Sequence, residues 1–391
     1  MRKILCMAMA IMTITSLSAC GNSGTAANAG ADASTSKSAQ TTAKDGSESG
    51  SGSGSESAAG NASDDSGLIV YTQKTMNQYF HVALQQKVEE AITAAGYQPE
   101  VANCNNDSTL QNDQMQNFIS KHPKAIIANT VDSDALNDAA NAAVAAGIPV
   151  VMVDNPASTA VVDCSIKFDN LKCGEMAAER IVEALEAKYG SPKGRVVNVY
   201  GAMSSECWRL RKDGFDAVMD KYPEIEKIEV PGEGERSKSQ EALTNVIAKY
   251  DKEIDAVHCP SDDPGLGCAE AMQIAGMWYP VGDEDHVIFV TGDGEPDAVR
   301  FLQDGYYDAI IVEDAYAYGP MAVDMLVQYI FKGEPVPTSG TYTNEDFYWK
   351  TAEFMDGETG PILQVPPYAL DSSNVNEDGH WGVAALKAEG K

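Results

Sequence analysis

Past Leu68 the chain alternates short apolar runs with longer amphipathic segments, the pattern of repeated βα units laid on a parallel sheet. Apolar runs predict strands at 68–71, 98–104 and 125–128, and amphipathic spacing predicts helices over 79–95, 108–120 and 132–146, with Ser108 placed to cap the second. A short strand over 164–168 leads into a second set: helix 172–189, strand 195–199, helix 211–221, strand 225–230 and helix 237–249. Strands at 256–258, 287–290 and 309–312 continue that sheet, and a helix over 315–331 precedes a tail rich in Pro, Gly and Asp that reads as irregular. The fold class is α/β, with two doubly wound, Rossmann-like sheets in one chain.

The stretch Gly147-Ile-Pro-Val-Val-Met-Val-Asp-Asn155 has the continuous apolar character of a strand buried on both faces, ending on Asp154. In an open parallel sheet the ligand crevice lies outside the carboxyl ends of the strands, so a strand that stops on a carboxylate points it at the ligand. The same ending recurs at Asp293 and at Glu313-Asp314. Three such ends predict a pocket lined with hydrogen-bond acceptors.

Composition narrows the function classes. With 391 residues and 43% hydrophobic content the chain is long enough for two cores, and 58 acidic against 28 basic residues give a net charge of -30. No basic surface is on offer to release counterions from phosphates, which argues against a nucleic-acid partner. Eight cysteines occur without a C-x-x-C pair or a Cys/His spacing of the zinc type, so no metal or cofactor is expected. At the front, Arg2 and Lys3 precede an apolar run from Ile4 to Leu17, too short for a comfortable membrane span, which predicts export. From Gly21 to Gly67 the chain is mostly Gly, Ser, Ala, Thr, Asn and Asp and reads as a disordered tether. Its root-mean-square reach is on the order of 35 to 40 Å.

Leu17-Ser18-Ala19-Cys20-Gly21 resembles the bacterial lipobox, which implies cleavage before Cys20 and a lipid anchor on that residue. From Leu68 to about Gly333 the chain resembles the type I periplasmic sugar-binding proteins, the ribose-binding and galactose-binding group that delivers sugars to ABC importers. The resemblance is carried by Asn77-Gln-Tyr-Phe80, Asn129-Thr-Val-Asp-Ser-Asp134, Ala146-Gly-Ile-Pro-Val-Val-Met-Val-Asp154, Phe168-Asp-Asn170, Arg211-Lys-Asp-Gly-Phe215 and Gly292-Asp293, in that order. It implies two lobes joined by three chain crossings, near Phe168, near Asp314 and after Gly333. The expected organisation is a signal peptide over 1–20, a tether over 21–67, one lobe from 68–168 plus 314–341, and a second lobe with the tail from 169–313 plus 342–391. The implied protein is a monomeric extracytoplasmic lipoprotein, held at the cell membrane through Cys20, whose partners are a small sugar and the membrane subunits of an ABC importer.

The same resemblance implies a set of ligand-binding residues. Asn77 falls where an amide bonds a hydroxyl, and Tyr79 and Phe80 where aromatic rings pack on the sugar, Tyr79 being the stronger candidate. Asp154 matches a carboxylate that accepts from ring hydroxyls, while Asn155 stands where the ribose-binding pattern carries arginine. Arg211 matches the guanidinium of the second lobe, with Arg209 near enough to exchange roles, and Trp208 is a second stacking ring. Ser261 stands where asparagine is frequent, Asp262 and Asp293 match, and Glu313 replaces an amide. Four carboxylates against one or two arginines repel anionic ligands and favour a neutral or cationic sugar or polyol.

Three other readings compete. A glycosidase needs two carboxylates at a defined separation, and no nucleophile and base stand in a recognised motif. Gly265-Leu-Gly267 and Gly292-Asp-Gly294 lack the spacing of a dinucleotide or phosphate loop and read as turns. A repressor of the same fold carries a helix-turn-helix where this chain has an export signal. A co-receptor that reports to a membrane sensor kinase has the same sequence signature as an importer component. Cys164 with Cys173, and Cys207 with Cys259, are possible bridges, and free buried thiols fit equally.

Overall fold

The computed structural model describes residues 67–388 and 390. The signal peptide, Cys20 and, but for Gly67, the tether lie outside the described residues. The apolar run after Gly67 forms β1 (Leu68–Gln73), followed by α1 (Tyr79–Ala94), β2 (Gln98–Asn103), α2 (Ser108–Ser120), β3 (Ala125–Ala128), α3 (Asn137–Ala145), β4 (Val150–Asp154) and β5 (Cys164–Phe168). Every residue of β3 and β4 is buried, as their unbroken apolar runs require of central strands. The second series runs α4 (Asn170–Tyr189), β6 (Gly194–Tyr200), α5 (Glu206–Met219), β7 (Ile225–Pro231), α6 (Arg236–Lys249), β8 (Ala256–His258), α7 (Asp262–Ala275), β9 (Ile288–Asp293), α8 (Pro296–Gln303) and β10 (Ala309–Val312). After α9 (Tyr318–Gln328) and a short 3-10 turn at Ile330–Lys332 come β11 (Thr341–Thr343), β12 (Thr351–Gly357), β13 (Gly360–Val365), β14 (Tyr368–Leu370) and α10 (Trp381–Ala388).

Two sheets result. The first has the order β11-β12-β13-β5-β4-β3-β1-β2 and the second β14-β10-β9-β8-β6-β7. Strands β1 to β5 are parallel and β13 joins β5 in parallel, with β12 antiparallel to β11 and β13. In the second sheet only β14 runs antiparallel. The chain passes between sheets through α4, which packs on α5 and β9, and through α9, which packs on α1. It passes a third time between β13 and β14.

Several elements differ from the sequence reading, each for a local reason. Asp107, not Ser108, caps α2, its carboxylate accepting from Thr109 N at 2.9 Å and Leu110 N at 3.0 Å. Helix α3 starts at Asn137 because Asp132 instead holds a turn, accepting from the amides of Asp134 and Ala135. Gly265 and Gly267 lie inside a helix, not a turn. A Cβ on Gly267 would stand 2.1 Å from Arg236 O, so its hydrogen lets α7 lie against α6. The tail is ordered: residues 341–365 complete the first sheet, not the second, and only β14 and α10 join the second side. All six described cysteines are buried and free, so neither Cys164 with Cys173 nor Cys207 with Cys259 is bridged.

Candidate functional site

The carboxyl ends of the two sheets bring together acids that are far apart in sequence. Asp154 ends β4 with a φ of 60°, and Asp293 ends β9 with a φ of 92°. These are left-handed conformations that short polar side chains tolerate, and they turn both carboxylates out of the strand plane. Glu313 follows β10 directly, its amide bonded to Asp293 O at 3.2 Å. Arg211, on α5, reaches into this acidic ring and is 4% exposed. Its Nε donates to Asn170 Oδ1 at 2.7 Å, its Nη1 to Pro260 O at 2.5 Å and Asp293 Oδ1 at 3.0 Å, and its Nη2 to Glu313 Oε2. The guanidinium carbon lies 5.5 Å from the Phe168 ring and 5.4 Å from the Trp208 ring. Ser261 Oγ donates to the other oxygen of Asp293 at 2.5 Å, and Tyr318 OH donates to Glu313. On the first-sheet side Asn129 Nδ2 donates to Asp154 Oδ2 at 2.8 Å.

These groups enclose a cavity of about 30 Å³. Phe80, His81, Lys74, Gln78 and Asp154 form one wall, and Cys207, Trp208, Arg211, Ser261, Asp293 and Glu313 the other. A neighbouring space of about 180 Å³ shares Lys74, Gln78 and Trp208 with it. A larger groove of about 790 Å³ lies at the amino ends of β6, β8 and β9, the end of a parallel sheet where no ligand crevice forms.

The electrostatics follow from burial. Burial raises the Asp154 carboxyl above its ordinary value, with Lys74, the Asn129 bond and Arg211 pulling the other way. Burial also pushes the Glu313 carboxyl up, against the pull of Arg211. For Arg211 burial alone would favour the neutral form, but Glu313 and Asp293 outweigh it and hold the guanidinium charged. Burial, then Lys74 and Arg211, drive His81 well below its usual value, so it is a neutral ring. The cavity thus offers carboxylate acceptors and a fixed guanidinium donor between two aromatic side chains, the composition that recognises a hydroxyl-bearing ring. Among the described residues no cluster of His, Cys, Asp and Glu could hold a metal ion.

The model of the periplasmic binding protein domain matches residues 69–335. The chain belongs to the type I periplasmic binding proteins. It is 26% identical over 250 residues to the ribose import binding protein of Bacillus subtilis, covering 64% of this chain and 77% of that one. It is also 26% identical over 275 residues to the ribose import binding protein of Escherichia coli, covering 70% and 87%. An ABC transporter solute-binding protein from Mycobacterium smegmatis with bound glycerol shares the fold at a TM-score of 0.67 and 24% identity, over 80% of this chain and 98% of that one. The family and these relatives are binding proteins of transport systems, and the chain is not an enzyme.

In this periplasmic binding protein seven of the sequence-derived candidates share one cavity: Phe80, Asp154, Trp208, Arg211, Ser261, Asp293 and Glu313. Four stand elsewhere. Asn77 is exposed and borders a wider depression with Asn105 and Asn106. Tyr79 is 36% exposed and stacks on Trp381 at 6.2 Å, so it is Phe80 whose ring turns inward. Asn155 is buried behind Asp154, bonded to Thr130 and approached by Ser133 and Ser205. Asp262 lies beneath the cavity and accepts from the amides of Gly294 and Glu295, both at 2.6 Å. Arg209 points away, to Met203 O at 2.9 Å. Lys74, Gln78, His81 and Cys207 line the cavity as well, though none is among the sequence-derived candidates. Lys74 directly follows β1, so the strand-end argument applied to that strand would have found it. Cys207 was considered only as a possible bridge partner of Cys259, and it lines the cavity as a free thiol instead.

Proposed function

We propose that this binding protein captures a neutral or cationic sugar or polyol outside the cytoplasm, between its two sheets, and delivers it as a monomer to the membrane subunits of an ABC importer. The observation that carries the reading is the convergence of Asp154 from one sheet with Asp293, Glu313 and Arg211 from the other, between Phe80 and Trp208. Hydroxyl donors find acceptors on both sides of the gap, so a ring that parts the walls of the 30 Å³ cavity far enough to enter bridges the halves and holds them together around it. Phe80 and Trp208 supply apolar faces for the ring. The import-protein names of the relatives support the transport role. Lipid on Cys20 would hold the protein at the membrane, with the Gly/Ser-rich segment as its tether.

A thermal-shift panel of pentoses, hexoses, furanosides, cyclitols and sugar acids tests the reading on the purified chain. At least one uncharged sugar or polyol is expected to raise the melting temperature, and the sugar acids are not. A panel in which only carboxylated or phosphorylated compounds stabilise the protein would refute it. Loss of palmitate labelling in cells on Cys20→Ala tests the anchor.

A further inference from the structure

Two helices start at the rim of the cavity, α1 on the first-sheet side and α5 on the second. Neither is capped from its own N-terminus: the side chains of Gln78 and Ser205, which precede the first helical residues, make no capping bond. The leading amides of a helix have no partner within it, and buried ones require an acceptor from elsewhere. Here the acceptors come from across the gap. Phe80 N donates to Glu295 Oε1 at 3.0 Å, and Glu295 stands between β9 and α8 of the second sheet. Glu206 N donates to Ser133 Oγ at 3.1 Å, and Cys207 N to Asn155 Oδ1 at 3.4 Å, both acceptors lying on loops of the first sheet. Glu295, Ser133 and Asn155 are each 2% exposed or less. The acceptors are held in place in turn: Asn155 Nδ2 donates to Thr130 O at 2.9 Å, Ser133 Oγ to Asn155 Oδ1 at 3.3 Å, and the backbone of Glu295 is anchored by its amide, which donates to Asp262 Oδ2 at 2.6 Å.

We propose that Glu295, Ser133 and Asn155 are positioning residues that form a reciprocal cap: each half supplies the helix cap that the other lacks. The inference rests on the reading of the two sheets as halves that close on a ligand, and it deepens that reading. Phe80 and Cys207, whose amides are capped this way, both line the cavity. The walls of the site are therefore set in place by closure itself. Asn155, which the resemblance set against the sugar, acts on the protein's own backbone. Both caps form or break with one opening equilibrium, so breaking one weakens the other.

Single-amide hydrogen–deuterium exchange on the full-length protein, with no sugar added, tests this. In Glu295→Ala, exchange at Phe80 is expected to rise, and exchange at Glu206 and Cys207 to rise with it by about three- to tenfold, the weight of one net hydrogen bond. The strand amides of Ile69 to Tyr71 and of Phe289 stay protected. Glu295→Gln keeps an acceptor oxygen and restores protection at all three positions. Ser133→Ala is the mirror test and keeps the question open to measurement should Glu295→Ala fail to fold: it accelerates Glu206 and, through the shared equilibrium, Phe80. A rise confined to the amide that lost its acceptor would overturn the reciprocal cap, leaving the sugar reading untouched. A sugar panel without a hit would remove the proposed ligand and leave the exchange coupling standing.

Discussion

Replacing Asp154 by Asn separates what that side chain does for the fold from what it does for a ligand. Its backbone lies at a φ of 60°, where Asn is tolerated and Ala is strained, so Asn removes the charge without loading the turn. The bond from Asn129 Nδ2, 2.8 Å long, can be kept by an amide oxygen. Burial raises the folded pKa of this carboxyl. A carboxyl raised in this way weakens the fold at every pH above its unfolded value, so near neutral pH the ionised side chain is a liability to the sugar-free protein. Asp154→Asn is therefore expected to be at least as stable as wild type without sugar. Binding moves the other way: a hydrogen bond to a charged acceptor is worth about 1.5–3 kcal/mol, roughly a 10- to 150-fold change in Kd. With sugar at about 1,000 times the wild-type Kd, the bound ligand stabilises wild type by about 4.1 kcal/mol. After a loss of about a hundredfold, the same concentration stabilises the variant by only about 1.4 kcal/mol. Urea denaturation with and without the strongest hit of the sugar panel gives both quantities. A variant that keeps the full ligand stabilisation, or that loses more than about 1 kcal/mol without sugar, refutes the argument.

Arg211→Met leaves Asp293 and Glu313 buried without their cation and is expected to destabilise the sugar-free protein by about 3–5 kcal/mol in urea; a loss below about 1 kcal/mol would contradict the ion-pair assignment. Burial first, then Asp293, push the Glu295 carboxyl up to about 8, so stability is expected to fall as pH rises from about 5 to about 8, and Glu295→Gln to flatten that slope; equal slopes in the two proteins would be the contrary result. A Cβ at position 382 would stand 2.0 Å from Gly294 O, so Gly382→Ala is expected to lower stability by about 1–3 kcal/mol and to speed amide exchange in α10; unchanged exchange there would show that α10 is not held by this approach.

The strands were legible because their apolar runs are bounded by turn residues, and the strand-end argument led from them to Asp154, Asp293 and Glu313. The start of α5, five residues ahead of the expected one, was less legible. The acceptors for the first amides of α1 and α5 lie 215, 73 and 52 positions away, so no local cap marks those boundaries. Successive residues of a helix point about 100° apart, so reading the start of α1 correctly at Tyr79 did not fix which of Tyr79 and Phe80 turns inward. Helix α7 was missed because Pro264, Gly265 and Gly267 are turn signals in isolation, whereas here the small residues answer to the contact with α6. The tail was read as irregular because β11 and β14 are too short to show a period and because Gly357, Gly360 and Pro361 are turn signals at the junction of the longer β12 and β13.

Beyond the segment that matches the family, the last fifty-odd residues do more than decorate the surface. β13 covers the flank of β5, and β14 that of β10, so one stretch of chain seals an open row of backbone donors and acceptors on each of the two sheets. A version of the protein cut after Gly333 would keep every cavity-lining residue yet expose two adhesive borders at once, and self-association, rather than loss of the ligand groups, would be what disabled it.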